Sequence, residues 1–279
     1  LKADEECFTC LEGLAIQAIE LATADARLRA KARDKAFAIL KRDFSTQAVP
    51  TLISDRMHAA IKEITGNPDP YLERKKVEID VAKELSEELG SHYGHDLRSC
   101  VGFSAIGNTL DFFRGFEEVK RDARRRPRFA IDDVNELKSA LERAERVLYL
   151  ADNAGECFFD LPLFKKFQEF VDVAYVVKGG PIQNDLTLED LERAGIAEEF
   201  GRIITIGAAT VGIDFRRAST DFKREFEQAD LILSKGMGNY ETLSELPARG
   251  RIFYLLMAKC APVAKSLGVP PNSYVAMLR

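Results

Sequence analysis

Tryptophan is absent from the 279 residues, histidine occurs three times and cysteine five times. Each scarcity excludes something. His58, His92 and His95 all fall in the first half, so a Ser–His–Asp relay or a His-rich zinc centre has little to draw on. They read as ordinary surface or core histidines. An odd number of cysteines in a chain this long does not make a secreted disulfide framework. No apolar run approaches the roughly 18–20 residues of a spanning helix. The opening stretch LKADEECFTC is charged and has no signal-peptide core, so the expectations are no membrane and, by default, a cytoplasmic location. A basic excess is missing too. Forty Lys and Arg stand against 45 Asp and Glu, a net charge of −5, which argues against nucleic acid as a partner. The basic run Lys120 to Arg128, with Arg124, Arg125 and Arg126, reads as a solvated linker. Charged residues at 30% without tryptophan would suit a thermophile.

What is present is a large apolar fraction, 46%, enough for one large or two ordinary globular domains. In the first half Leu11, Leu14, Ala15, Ala18 and Ile19 recur at helical spacing, as do Ile53, Met57, Ala60, Ile61 and Ile64. Gly66 stops the second of these, and NPDPY at 67–71 is a turn, with Asp69 as one of its formers. Helices over about 71–89 and 96–115 follow, so residues 1–140 are expected to form a helical domain. From about 146 the pattern changes. Short strands at 146–151, 172–178, 202–207, 230–234, 251–257 and 273–277 alternate with helices, the signature of a mostly parallel sheet covered on both faces. The expected fold class is α/β: an all-helical N-terminal domain, 1–140, and a Rossmann-like three-layer α/β/α domain, 141–279.

Ligands in such sheets bind outside the carboxyl ends of the strands, and unusual polar clusters fall there: ADNAGE at 151–156, KGGPIQND at 178–185, KGMGNYE at 235–241 and KC at 259–260. Asp152 and Asn153 offer a carboxylate and an amide oxygen, and Asp185 closes the next strand's loop. Strands sit about 4.8 Å apart, so these tips can share one ion. An all-oxygen set suits a hard divalent cation such as Mg²⁺ or Mn²⁺. The alternative makes Asp152 an Asx-turn residue and Asp185 a helix N-cap. Lys235 and Lys259 are placed for an anionic oxygen, and Asn239 and Glu241 for orienting a substrate; Glu241 also fits as a plain first-turn acid. Ser104, Asn108 and Asp111 form a polar stripe that either roofs the site or is satisfied between helices. Cys7 and Cys10 stay open: half of a zinc site completed by Cys100, a disulfide, or an incidental pair. Cation, lysines and helix N-termini in one crevice suit phosphate-ester hydrolysis.

These motifs together resemble the damage-control phosphatase family, also described as the ARMT-like metal-binding domain family. DNAGE at 152–156, PIQNDLT at 181–187, KGMGNYETL at 235–243 and AKC at 258–260 carry the likeness, with GN-x-x-D at 107–111 and DPY at 69–71. The N-terminal Cys-x-x-C is similar to the microbial branch. The resemblance implies a metal-dependent phosphatase (Mn²⁺, Co²⁺, Ni²⁺ or Mg²⁺) acting on a small phosphorylated metabolite, a sugar phosphate or a damaged phosphometabolite. It implies Asp152, Asn153 and Asp185 as metal ligands and catalytic groups. Glu156, Asn239 and Lys259 would be substrate contacts, the lysine to phosphate. Some relatives carry the motif acid one residue beyond Glu156, and an arginine–threonine signature where this chain has Leu256, Met257 and Ala258. Two other readings stand beside it. One is an S-adenosylmethionine-dependent carboxyl methyltransferase, against which ADNAGE and Lys178 both count. The other is a non-catalytic protein binding a phosphometabolite. A single chain and an oligomer both remain open.

Overall fold

The structure, a computed structural model, describes residues 1–109, 126–247 and 249–279. Among the described residues five helices come first: α1 (Glu6–Ala22), α2 (Ala26–Asp43), α3 (Pro50–Thr65), α4 (Leu72–Gly90) and α5 (Leu97–Gly107). Local chemistry sets their ends. Asp25 accepts the Arg27 and Leu28 amides at the start of α2, and α3 opens on Pro50 and closes on Gly66 at φ 70°. After them come β1 (Phe129–Asp132), α6 (Val134–Leu141), β2 (Arg146–Leu150), α7 (Cys157–Gln168), β3 (Asp172–Val177), α8 (Leu188–Ala194) and β4 (Ile203–Thr205). The chain ends with α9 (Thr220–Gln228), β5 (Leu231–Lys235), α10 (Gly236–Leu243), β6 (Ile252–Ala258), α11 (Ala261–Leu267) and β7 (Ser273–Leu278). No described helix is long and apolar enough to cross a membrane.

The α/β class holds. Seven strands form one sheet in the order β1-β7-β6-β5-β2-β3-β4, parallel except where β7 runs against β6. The six expected strands are all present. The seventh, β1, lies before residue 140 and pairs with β7. A boundary at 140 therefore cuts β1 from its own sheet. The signal for it was short, Phe129 and Ile131 alternating with exposed neighbours after a basic run.

Strand alternation builds two cores. Val147 and Tyr149 of β2 face a cluster with α4, α5, α6 and α7, while Leu148 and Leu150 face one with α9, α10 and α11. Helices α1, α2 and α3 share a third apolar cluster, around Leu11, Ile39, Met57 and Ile61. The side chains thus favour, as a proposal, a cap of α1–α3 and a body that begins near α4. The cap meets the body through loops at the strand ends: Lys62 donates to the Pro181 carbonyl, Gln183 Nε2 to Ser54 Oγ at 3.1 Å, and the Val211 amide to Asp55 at 2.7 Å.

The order places β2 between β3, its successor, and β5. The chain leaves β2 for one side of the sheet and later returns on the other. That reversal opens a crevice at the carboxyl end of β2, where ADNAGE begins.

Candidate active site

Two loops at the crevice pair with each other. The Leu186 amide donates to the Asp152 carbonyl at 2.8 Å, the Ala154 amide to the Asn184 carbonyl at 2.9 Å, and Asn153 and Asp185 form an antiparallel bridge. Main-chain bonds thereby gather Asp152, Asn153 and Asp185. Gln183, at φ 44°, turns the second loop through a conformation rare outside glycine. That loop is anchored from behind: buried Lys75 lies 2.9 Å from both Asp69 and Asp190, and Asp190 closes a capping box with Thr187 at the start of α8. Asp69 is thus more than a turn former.

A cavity of about 400 Å³ opens here, and its walls include Asn108, Asp152, Asn153, Asp185, Glu241 and Lys259. The half-buried Asp152 carboxylate accepts amide hydrogens from Asn108 and Asn153, both at 3.0 Å. Asn108 is held in turn by the Met257 amide at 2.9 Å. Asp185 pairs with buried Lys178 at 3.3 Å. Among the described residues Asp152 has no ion-pair partner, and none engages the Lys259 ammonium. Burial lifts Asp152 well above the usual carboxylate range; the charges of Glu156 and Asp185 add to the rise, and Lys259 and Lys178 oppose it. Asp185 is raised by burial against the pull of Lys178. Burial also pushes Glu241 up to about 7.

Lys235, Glu156 and Asn239 lie beneath the cavity rather than on its wall. Lys235 is fully buried, 2.8 Å from Glu156 and 2.5 Å from Asp160, and donates to the Ser104 carbonyl and hydroxyl. Burial alone would lower its pKa, but the two carboxylates overcome that and raise it. Glu156 is pushed up by burial and brought below its ordinary value by Lys235. The expectation of Lys235 and Glu156 as substrate contacts therefore gives way to an internal ion-pair network, because every ammonium donor is consumed below the floor. Asn239 straps the tips of β2 and β5 by donating to the Ala151 and Lys235 carbonyls at 3.1 and 2.9 Å. Its amide oxygen accepts from Lys178 at 3.4 Å. It too supports the site from below. In the polar stripe, Ser104 belongs to this network, Asn108 reaches the site, and Asp111 lies outside the described residues.

Sequence reasoning missed Asp160, which gathers Tyr149 at 2.8 Å, Tyr175 at 3.0 Å and Ser104 at 2.7 Å as well as Lys235. Its signal was an acid amid FFDLP on an otherwise apolar face. Lys178 was visible only as an obstacle to S-adenosylmethionine; its role as counter-charge to Asp185 was not.

Two observations bear on whether an ion fits. Gly236, at φ 73°, leaves the space where a Cβ would stand 1.9 Å from Asp152 Oδ2. No group of three or more His, Cys, Asp and Glu is arranged for an ion among the described residues. The donor set is instead two raised carboxylates and an amide, whose shared charge a hard cation would offset. Gly236→Ala should cost more than the usual glycine penalty, since the new methyl meets the carboxylate as well as the positive φ. The expected result is a melting temperature that falls and no longer responds to added divalent ion; an unchanged response would place the ion elsewhere.

Fold and site together define an α/β protein of Rossmann-like layering, with oxygen donors and a lysine converging at its topological switch. The chain belongs to the damage-control phosphatase ARMT1-like domain family, whose domain matches residues 3–275. It is 35% identical over 283 residues to damage-control phosphatase PH1575 of Pyrococcus horikoshii, covering 99% of this chain and 98% of that one. It is 32% identical over 287 residues to a damage-control phosphatase of Archaeoglobus fulgidus, with 99% of both chains covered. The crystal structure of the DUF89 family protein from P. horikoshii superposes with a TM-score of 0.91 at 36% identity, over 100% of this chain and 99% of that one.

Proposed function

We propose that this chain is a metal-dependent phosphatase that hydrolyses small phosphomonoesters, sugar phosphates or damaged phosphorylated metabolites. One observation carries the reading: among the described residues Asp152 has amide donors but no ion-pair partner and none engages the Lys259 ammonium, and these two share a cavity with Asp185. Cation acceptors and an anion donor meet in one crevice. Asp152, Asn153 and Asp185 would hold a divalent ion (Mn²⁺, Co²⁺, Ni²⁺ or Mg²⁺). When bound, such an ion polarises a phosphoryl oxygen and lowers the pKa of attacking water.

The chain's own residues do the rest. Lys259 binds the phosphoryl oxygens and steadies charge on the departing phosphate. Asn108 and Asn153 hold one face of the Asp152 carboxylate, and Lys178 fixes Asp185. Leu11, Leu14 and Met237, which also line the cavity, give it an apolar stretch that keeps bulk water from the ester. The cavity suits a ligand of a few hundred Å³. The test is phosphate release from a panel of phosphomonoesters, with each metal and with chelator. Release that chelator does not abolish, or none from any ester, overturns the reading.

Metal and pH should be linked. Asp152 and Asp185 are raised in the fold, so the chelator-treated protein binds more protons folded than unfolded. Their contribution to stability is therefore lost as pH rises from the unfolded carboxylate value through the raised folded values. A divalent ion takes the place of those protons. The melting-temperature gain from added Mn²⁺ should be larger near pH 8 than near pH 5, and smaller in Asp185→Asn. Equal gains at both pH values would count against these carboxylates as ligands.

A further inference from the structure

The wall of the same cavity carries a second chemistry. Cys7, Cys10 and Cys260 all line it. Cys7 and Cys10 stand three residues apart in the first turns of α1, and so share a helix face. Cys260 follows Lys259 directly and precedes α11. Cys10 is exposed and Cys7 and Cys260 are half-buried, whereas Cys100 and Cys157 are buried in the core between sheet and helices. Cys100 therefore does not complete the Cys-x-x-C pair; the third thiol on that wall is Cys260. Burial raises all three thiols, Cys260 to about 11, and Glu241 adds to the rise at each, so the three sulfurs share one electrostatic neighbourhood and Cys10 is distinguished by its exposure. A preformed zinc site is not what they make, since no three such ligands converge among the described residues.

We propose that Cys7, Cys10 and Cys260 form a thiol–disulfide site on the cavity wall, oxidised by hydrogen peroxide. Exposed Cys10 reacts first. Its sulfur attacks one peroxide oxygen, the O–O bond breaks, and water leaves with the thiol proton, giving a sulfenic acid. The sulfur of Cys7 or Cys260 then displaces that oxygen as a second water and closes an S–S bond. Two thiols lose two hydrogens and two electrons, and one peroxide becomes two waters. The turn bearing Cys7 and Cys10 must open slightly to bridge them, because side chains at that helical spacing stand about 5–6 Å apart and a disulfide needs about 3.5–4.5 Å. The first turn of a helix frays readily enough to allow this.

The site adjoins the anion-binding lysine, so its importance for catalysis rests on the function proposed above; its existence does not. The experiment treats the reduced, folded chain with hydrogen peroxide, blocks remaining thiols, and maps cysteines by mass spectrometry. The expected product has lost about 2 Da, carries a Cys7–Cys10 or Cys10–Cys260 link, keeps Cys100 and Cys157 as thiols, and returns to the starting mass with dithiothreitol. Cys10→Ser should lose the link, and a far-ultraviolet spectrum like the parent's shows that it folds. A link through Cys100 or Cys157, retention of the link in Cys10→Ser, or only irreversible sulfinic products would overturn the proposal. Turnover plays no part in the readout. A chain that releases no phosphate would therefore sink the phosphatase reading and leave the thiol assignment standing.

Discussion

Replacing Asp152 by alanine should lower metal-dependent phosphate release by about a hundredfold to a thousandfold, the usual cost of losing one electrostatic stabiliser in a reaction centre. The frame should survive, because the bond that pairs the two site loops uses the Asp152 main-chain oxygen, not its carboxylate. The Asn108 and Asn153 amides keep Glu156 as an acceptor, at 2.9 and 2.7 Å. Removing a carboxylate that its surroundings already resist should leave the chelator-treated variant as stable as the parent, or more so. Steady-state phosphate assays and thermal unfolding, with and without Mn²⁺, measure both halves. Parent-like turnover would refute Asp152 as a ligand. A collapse of stability would assign it to the scaffold instead.

Lys235→Met should behave in the opposite way, with its largest effect on folding. The ammonium sits between Glu156 and Asp160 with no solvent exposure. Deleting it leaves two buried carboxylates unmatched, a loss of about 3–5 kcal/mol. Those acids should then titrate upward, so the variant loses more stability at pH 8 than at pH 5. Adding Glu156→Gln and Asp160→Asn removes both charges and should restore most of the loss. Urea unfolding at the two pH values is the measurement. A variant within about 0.5 kcal/mol of the parent, as for an ordinary surface residue, with a raised KM, would return Lys235 to the substrate.

The contrast between these residues shows where sequence reasoning stops. The strands were legible because parallel strands buried on both faces read as apolar runs, VLYL in β2 and IFYLL in β6. Strand β1 was not, since four residues at a sheet edge, two half-buried and two exposed, leave little periodicity. The meeting of Asp152, Asn153 and Asp185 at one crevice was legible, because polar residues cluster in the loops beyond β2 and β3 where packing gives them no reason to be. What could not be read was height. Lys235 ends β5 and Lys259 follows β6, and each stands just before a helix. Only packing shows that the first points down to Asp160 on α7 and the second lines the cavity. Asp160, one acid in an aromatic helix, had no partner visible in linear order.

The paired loops at 152–154 and 184–186 have a consequence for change over time. Their spacing is fixed by amide and carbonyl groups that every residue but proline carries, so an exchange such as Asn153→Asp alters the donor set without disturbing the rungs beneath it. On the metal-binding role proposed above, preference for one cation over another would drift by single side-chain replacements on a lattice that stays put. The binding chemistry is interchangeable because its mounting is not.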